Sequence, residues 1–173
     1  ADCLSLRIGN LLVGNPESSS GIEMTLLGGT FRFEEDAFIA LCGSEFEATL
    51  DAYPIQWQRG FYVRAGQTLG VGPTQSGARC YLCVRGGVDV PIYLSGKTTH
   101  VMSKMGGLNG RPLEKGDTIN IGDLSKVSQP IILNNILNMN TTIIRITNGL
   151  QSEWFSDSTW NQFTSRSEEH TSE

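Results

Sequence analysis

Apolar and polar positions change their period along this chain. In "DCLSLRIGNLLVGN" (2–15), Leu4, Ile8, Leu11 and Leu12 recur at helical spacing, Asp2 stands where a cap is wanted, and Gly14-Asn15-Pro16 is a stop. A short N-terminal helix is predicted. From Ile22 the period falls to two. Ile22, Met24 and Leu26 alternate with Glu23 and Thr25, and Phe31 and Phe33 flank Arg32. Phe46, Ala48 and Leu50 alternate with Glu47, Thr49 and Asp51, and Phe61 and Val63 with Tyr62 and Arg64. Cys80, Leu82 and Val84 alternate with Arg79, Tyr81, Cys83 and Arg85. Each run reads as a half-buried strand, apolar inward and polar outward.

Turn signals separate the runs: Gly28-Gly29, Gly43-Ser44, Ala65-Gly66, Gly72-Pro73, Gly86-Gly87 and Lys115-Gly116-Asp117. Many short strands between glycine-rich turns predict a mainly β barrel or sandwich. The 20 glycines suit that fold better than a helical bundle. Strand patterning fades from Met102 to Asp123, where one short strand is expected at Thr118–Ile121. A connector (125–140) and a new strand at 141–149 follow. In 152–163, Trp154, Phe155, Trp160 and Phe163 suggest one apolar helical face. The resulting division is a first subdomain at 1–124, the connector at 125–140, and the opening of a second unit at 141–165. The octapeptide "RSEEHTSE" (166–173) resembles the translated read-through of a sequencing-library adapter and is set apart as a non-native tail, a solvated acidic tail being the alternative. No function is placed on His170 or Glu173.

Composition narrows the class of protein. The net charge of -5 supplies no basic stripe to neutralise phosphates, so nucleic acid and anionic membrane are not expected partners. No apolar run approaches the roughly 20 residues that span a bilayer. Cys3, Cys42, Cys80 and Cys83 show no framework spacing. Cys3, Cys42 and Cys80 fall in patterns that read as core, as expected of reduced thiols in a cytoplasmic protein.

Two fragments look like phosphate loops and fail the test. "GKTT" (96–99) needs glycine five positions before Gly96 but has Pro91, and "GPTQSGAR" (72–79) has Ala78 where lysine must stand. Cys80-Tyr-Leu-Cys83 has redox spacing, but a strand aims its sulfurs at opposite faces. His100 has no carboxylate near it in sequence and reads as a solvated loop histidine.

The stretch "RGGVDVPIYLSGKTTH" (85–100) is the best candidate site loop. Gly86-Gly87 permit close backbone approach, and Pro91 stiffens the chain after Asp89, which is either a site carboxylate or an Asx-turn residue. Arg79, Tyr81 and Arg85 share one strand face. They could receive a carboxylate or simply form the wet side of a sheet.

Several longer segments occur in one order: "SLRIGNLLVGNPESSSGIEMTLLGGTFRF", "ALCGSEFEATLDAYPIQWQRGFYVRAGQTLGVG", "GARCYLCVRGGVDVP" and "MGGLNGRPLEKGD". In this order they resemble the family of the 5-oxoprolinase C subunit, also called the biotin-dependent carboxyltransferase, KipA-type, or allophanate hydrolase subunit 2 family. The resemblance runs from about Ala1 to Phe163. It implies a cyclophilin-like β-barrel with a short N-terminal helix, followed by the start of a second, truncated barrel, with segments missing at both ends. It implies sister 5-oxoprolinase subunits (a KipI-type B subunit and an A subunit) that together use ATP to open 5-oxo-L-proline to L-glutamate. Other branches of the family imply a biotin-dependent transfer of carboxyl to urea, or a non-enzymatic regulator binding a kinase-inhibitor sister protein.

The expected substrate-binding residues are Asp89, Ser95, Lys97, Thr98, Thr99 and Arg111, supported by Arg79 and Tyr81. Lys97 or Arg111 would hold a carboxylate or phosphate, and the hydroxyls would donate to a developing oxyanion. No general base and no nucleotide site is assigned. Where the family reads leucine-glycine-serine-arginine-serine-threonine, this chain has Leu94-Ser95-Gly96-Lys97-Thr98-Thr99. Lysine keeps the charge and loses the bidentate fork.

Overall fold

The structure, a computed structural model, describes residues 2–135 and 146–165. The tail at 166–173 and most of the strand expected at 141–149 lie outside the described residues; 146–149 have no regular secondary structure. The chain divides into two compact units, Ala1–Asn140 and Thr141–Glu173.

The first unit opens with α1 (Cys3–Leu12). Asp2 caps it, its carboxylate accepting from the Ser5 amide at 3.1 Å. Gly14, at φ +76°, ends it: the Asn15 amide turns back to the Asn10 carbonyl at 2.8 Å. The strands follow as β1 (Ile22–Thr25), β2 (Thr30–Arg32), β3 (Ala37–Gly43), β4 (Phe46–Leu50), β5 (Tyr53–Pro54), β6 (Gly60–Val63), β7 (Thr68–Thr74) and β8 (Arg79–Val84). Two further short strands, β9 (Val88–Asp89) and β10 (Asn120–Ile121), pair with each other.

Two four-stranded antiparallel sheets, ordered β1-β8-β3-β6 and β2-β7-β4-β5, close over one core. Ile39, Leu41, Val63 and Leu82 from the first sheet meet Phe46, Leu69 and Val71 from the second. The sheets join at a corner where Leu27 bridges both Thr25 and Pro73. The mainly β architecture with a short N-terminal helix is thus the one expected.

Helix α1 lies on the outer face of β3 and β8. Its buried face comprises Ser5, Gly9, Asn10 and Leu12, whereas Leu4 is exposed. A Cβ at Gly9 would stand 2.7 Å from Cys83 Sγ, so the helix rests directly on the sheet. Leu12, at the end of the helix, joins Val13, Ala40, Tyr81 and Cys83 in a second apolar cluster.

Three expectations are corrected. Cys3 is exposed, because it sits in the first turn of α1 away from the sheet. Gly72-Pro73 lies inside β7 rather than at a turn. The face of β8 bearing Tyr81 and Cys83 is buried, because α1 covers it. In the second unit, a 3-10 turn (Ser152–Trp154) precedes α2 (Asp157–Ser165), whose described residues are all at least partly exposed. Trp160 makes edge-on contacts with Phe155 and Phe163.

Candidate functional site

Beyond Val84 the chain leaves the barrel through Gly86 and Gly87, both in the left-handed region at φ +94° and +73°. A side chain at Gly86 would crowd the Gly122 carbonyl at 3.1 Å and Leu124 at 3.0 Å, so glycine lets the turn lie flat on the 121–124 segment. Asn15, buried beside this turn, holds it. Its Oδ1 accepts from the Gly86 amide at 2.7 Å, and its Nδ2 donates to the Val84 carbonyl at 2.8 Å and to Asn10 Oδ1 at 3.0 Å. Asp89 then emerges at the end of β9, exposed.

Lys97 folds back onto this ribbon. Its ammonium donates to the Val88 carbonyl at 3.3 Å and stands 3.9 Å from Asp89 Oδ1. The same Val88 carbonyl accepts from the Ser20 hydroxyl at 2.6 Å. Between Asp89 and Lys97 the chain reverses on itself: Tyr93 and Gly96 exchange both backbone hydrogen bonds, at 2.8 and 3.0 Å. The two central residues, Leu94 and Ser95, have φ of +47° and +63°. That is the primed two-residue turn that normally selects asparagine and glycine. Holding L-residues there stores local strain, a condition that concentrates at functional loops.

The "GKTT" run packs against the second glycine-rich segment. Gly107, at φ +52°, leaves so little room that a Cβ there would collide with Thr99 Oγ1. His100 and Met105 exchange backbone hydrogen bonds at 2.8 and 3.2 Å, and His100 Nδ1 accepts from the Ser103 amide at 3.2 Å. His100 therefore closes a turn, in keeping with its expected role as a loop histidine. Ser95 and Thr98 are exposed, while Thr99 is half-buried under Gly107.

The nominated residues do not all converge. The structure gathers Asp89, Ser95, Lys97, Thr98 and Thr99 into one loop. Arg111 sits further along, its fork already occupied: Nη1 and Nη2 each bind an Asp117 oxygen at 2.8 Å. Arg111 and the Glu114 amide hold the Asp117 carboxyl down at about 2, and Asp117 in turn raises the Arg111 pKa. This pair fastens the 111–117 turn. Arg79 opens β8 and Tyr81 lies within it, about 23 and 17 Å of extended strand before Gly86. Arg79 Nη1 binds Glu23 Oε1 at 2.5 Å. The Tyr81 hydroxyl donates to Glu23 Oε2 at 2.6 Å and accepts from the Asp2 amide at 2.6 Å. Burial, with Glu23 accepting its proton, pushes the Tyr81 pKa far up. These two side chains tie α1 to β1 and do not reach the loop.

Burial also raises the thiols, Cys42 to about 11 and Cys80 to about 12, with Cys83 likewise pushed up. Such thiols are inert packing groups. A half-open cleft of about 420 Å³ lies between Phe38, Gly60 and the 129–133 segment, and none of the nominated residues lines it. Asn15 and Ser20 escaped the sequence reading. They reach the loop from 71 and 68 positions away, and nothing local in "GNPESSS" marks them.

The family model described as "Carboxyltransferase domain, subdomain A and B" matches residues 1–170, and the chain belongs to this family. Among its relatives is a urea amidolyase of Lachancea kluyveri, 37% identical over 131 residues, covering 75% of this chain and 7% of the relative. Another is the C subunit of 5-oxoprolinase from Escherichia coli, 41% identical over 121 residues, covering 70% of this chain and 39% of the relative. Among solved structures, the Kluyveromyces lactis urea amidolyase superposes with a TM-score of 0.69 at 39% identity, covering 75% of this chain and 8% of that one. The chain therefore spans well under half the length of these relatives, which are parts of enzymes. Among the described residues no helix is long and apolar enough to cross a membrane.

Proposed function

We propose that this chain supplies part of the substrate-binding rim of a 5-oxoprolinase-type subunit. In this reading it works with sister subunits (the KipI-type B subunit and the A subunit) in the ATP-dependent opening of 5-oxo-L-proline to L-glutamate. The observation that carries it is the half-buried Lys97 ammonium, fixed by the Val88 carbonyl and oriented by Asp89. It is flanked in the chain by the exposed hydroxyls of Ser95 and Thr98. The substrate bears one carboxylate and one lactam carbonyl. Lys97 would pair with the carboxylate as a point charge, and a hydroxyl would donate to the carbonyl oxygen as charge develops on it. Ring opening adds the oxygen of water to the lactam carbon and a proton to the departing nitrogen. Arg111 is left out of this role because Asp117 occupies its fork.

ATP is not placed on this chain. The "GPTQSGAR" segment runs from β7 of one sheet into β8 of the other, and "GKTT" packs against Gly106 and Gly107. In this reading the nucleotide is bound by the sister subunits. A second reading draws on the urea amidolyase relatives: the same lysine would take the carboxylate of carboxybiotin for transfer to urea. Biotin would be needed only there.

The complete polypeptide, co-expressed with its sister subunits, distinguishes the two. Glutamate released from 5-oxoproline only in the presence of ATP supports the first. Lys97→Ala should then raise KM for 5-oxoproline about tenfold, as expected for one charged hydrogen bond. Urea-dependent consumption of carboxybiotin with no glutamate release would replace the first reading with the second.

A further inference from the structure

Lys97 is placed by a carbonyl, and that carbonyl is placed by a residue from the far end of the sequence. Ser20 holds both backbone polar groups of Val88. Its hydroxyl accepts from the Val88 amide at 3.1 Å and donates to the Val88 carbonyl at 2.6 Å. The Ser20 backbone carbonyl also receives the Val88 amide, at 3.3 Å. One turn upstream, buried Asn15 clamps the peptide of Gly86, and on the other flank the Gly122 amide donates to the Gly87 carbonyl at 2.9 Å. The 15–20 segment thus fixes two successive points of the turn, and Lys97 hangs from the second.

We propose that Ser20, backed by Asn15, is a positioning residue for the Lys97 site: it sets the plane of the Val88 peptide, and thereby where the Lys97 ammonium points. This rests on Lys97 being the anionic-substrate anchor proposed above. Loss of the Ser20 hydroxyl removes the 2.6 Å donor that orients the Val88 carbonyl, so the carbonyl that Lys97 holds is less tightly aimed, although the Val88 amide still reaches the Ser20 carbonyl. Threonine keeps the hydroxyl and restores the grip.

The test uses the complete chain and two readouts. The first is the acetylation rate of each lysine by acetic anhydride, followed by peptide mass spectrometry. In the unmodified protein Lys97 should react more slowly than the exposed Lys104, Lys115 and Lys126. Ser20→Ala should raise the Lys97 rate alone, by about fivefold, the equivalent of one hydrogen bond, and Ser20→Thr should return it. An unchanged Lys97 rate, or an equal rise at every lysine, overturns the proposal. The second readout is steady-state kinetics of the assembled enzyme with 5-oxoproline. Ser20→Ala should raise KM by a similar factor while kcat changes less than about twofold. A shift in labelling with KM unmoved would leave Ser20 as the residue that places Lys97 and remove Lys97 from the substrate.

Discussion

From Ile22 to Val84 the chain is held by strand ladders around aliphatic side chains with almost no exposure, such as Ile39, Leu41, Val63 and Leu69. From Val90 to Ile119 it has no regular helix or strand. Ile92, Leu94 and Met102 stand in water there, and order comes from a few turns, the Arg111–Asp117 pair and the lysine that reaches back to Val88. The first region is secured by many interchangeable contacts; the second depends on a few irreplaceable ones. Damage to the barrel should therefore register as lost stability. Damage to the loop should register as lost binding by a protein that still folds.

Four measurements press on that contrast. Leu41→Ala deletes fully buried methyls and should cost about 2–5 kcal/mol in chemical denaturation. A loss below about 1 kcal/mol would mean the core is loose. Native-state thiol titration with a chromogenic disulfide at pH 8 should modify Cys3 alone, with Cys42, Cys80 and Cys83 reacting only on unfolding. Their raised pKa values mean that the unfolded chain loses these protons first, so barrel stability should fall as pH climbs above about 9. Gly107→Ala should displace the "GKTT" run and raise KM about tenfold, with stability reduced by about 1–2 kcal/mol, because the clash is local and backbone strain adds to it. Asp117→Asn should give the smallest effect. The folded-state pKa of about 2 is depressed, so the stabilisation from the Arg111 pair is present above about pH 4 and lost as pH falls toward 2. The difference in Tm between Asp117→Asn and the unmodified chain should close over that window; a difference constant from about pH 7 to 2 would remove the pair as its cause.

The same contrast governs how much could be read from residues alone. Strands β1, β2, β4, β6 and β8 announce themselves because one face meets the core and the other meets water or a neighbour. Strand β3 does not. "AFIALCG" is apolar throughout, since Ile39 and Leu41 face the barrel while Ala40 and Cys42 lie under α1, and burial on both sides erases the alternation. Strand β7 hides for a different reason. Gly70 and Gly72 lie against Thr49 and Glu47 of the neighbouring strand, so residues that signal turns serve here to let strands close up. Arg79 and Tyr81 suggested a wet binding face because nothing in their neighbourhood reveals that Glu23 will engage both and that Tyr81 will be buried under α1. The loop itself was legible through Gly86-Gly87, Asp89 and Lys97. Its supports were not, because Asn15 and Ser20 become neighbours of the turn only after the barrel has closed.

Gly9 gives the helix–sheet contact a property that no side chain could. A hydrogen in that place acts as a spacer of minimum thickness, so the backbone of α1 closes over the Cys83 thiol together with the side chains packed around it. Gly9→Ala would lift the helix like a shim under a lid, and a sulfur closed to solvent would become open to alkylating reagents while the strands beneath kept their register.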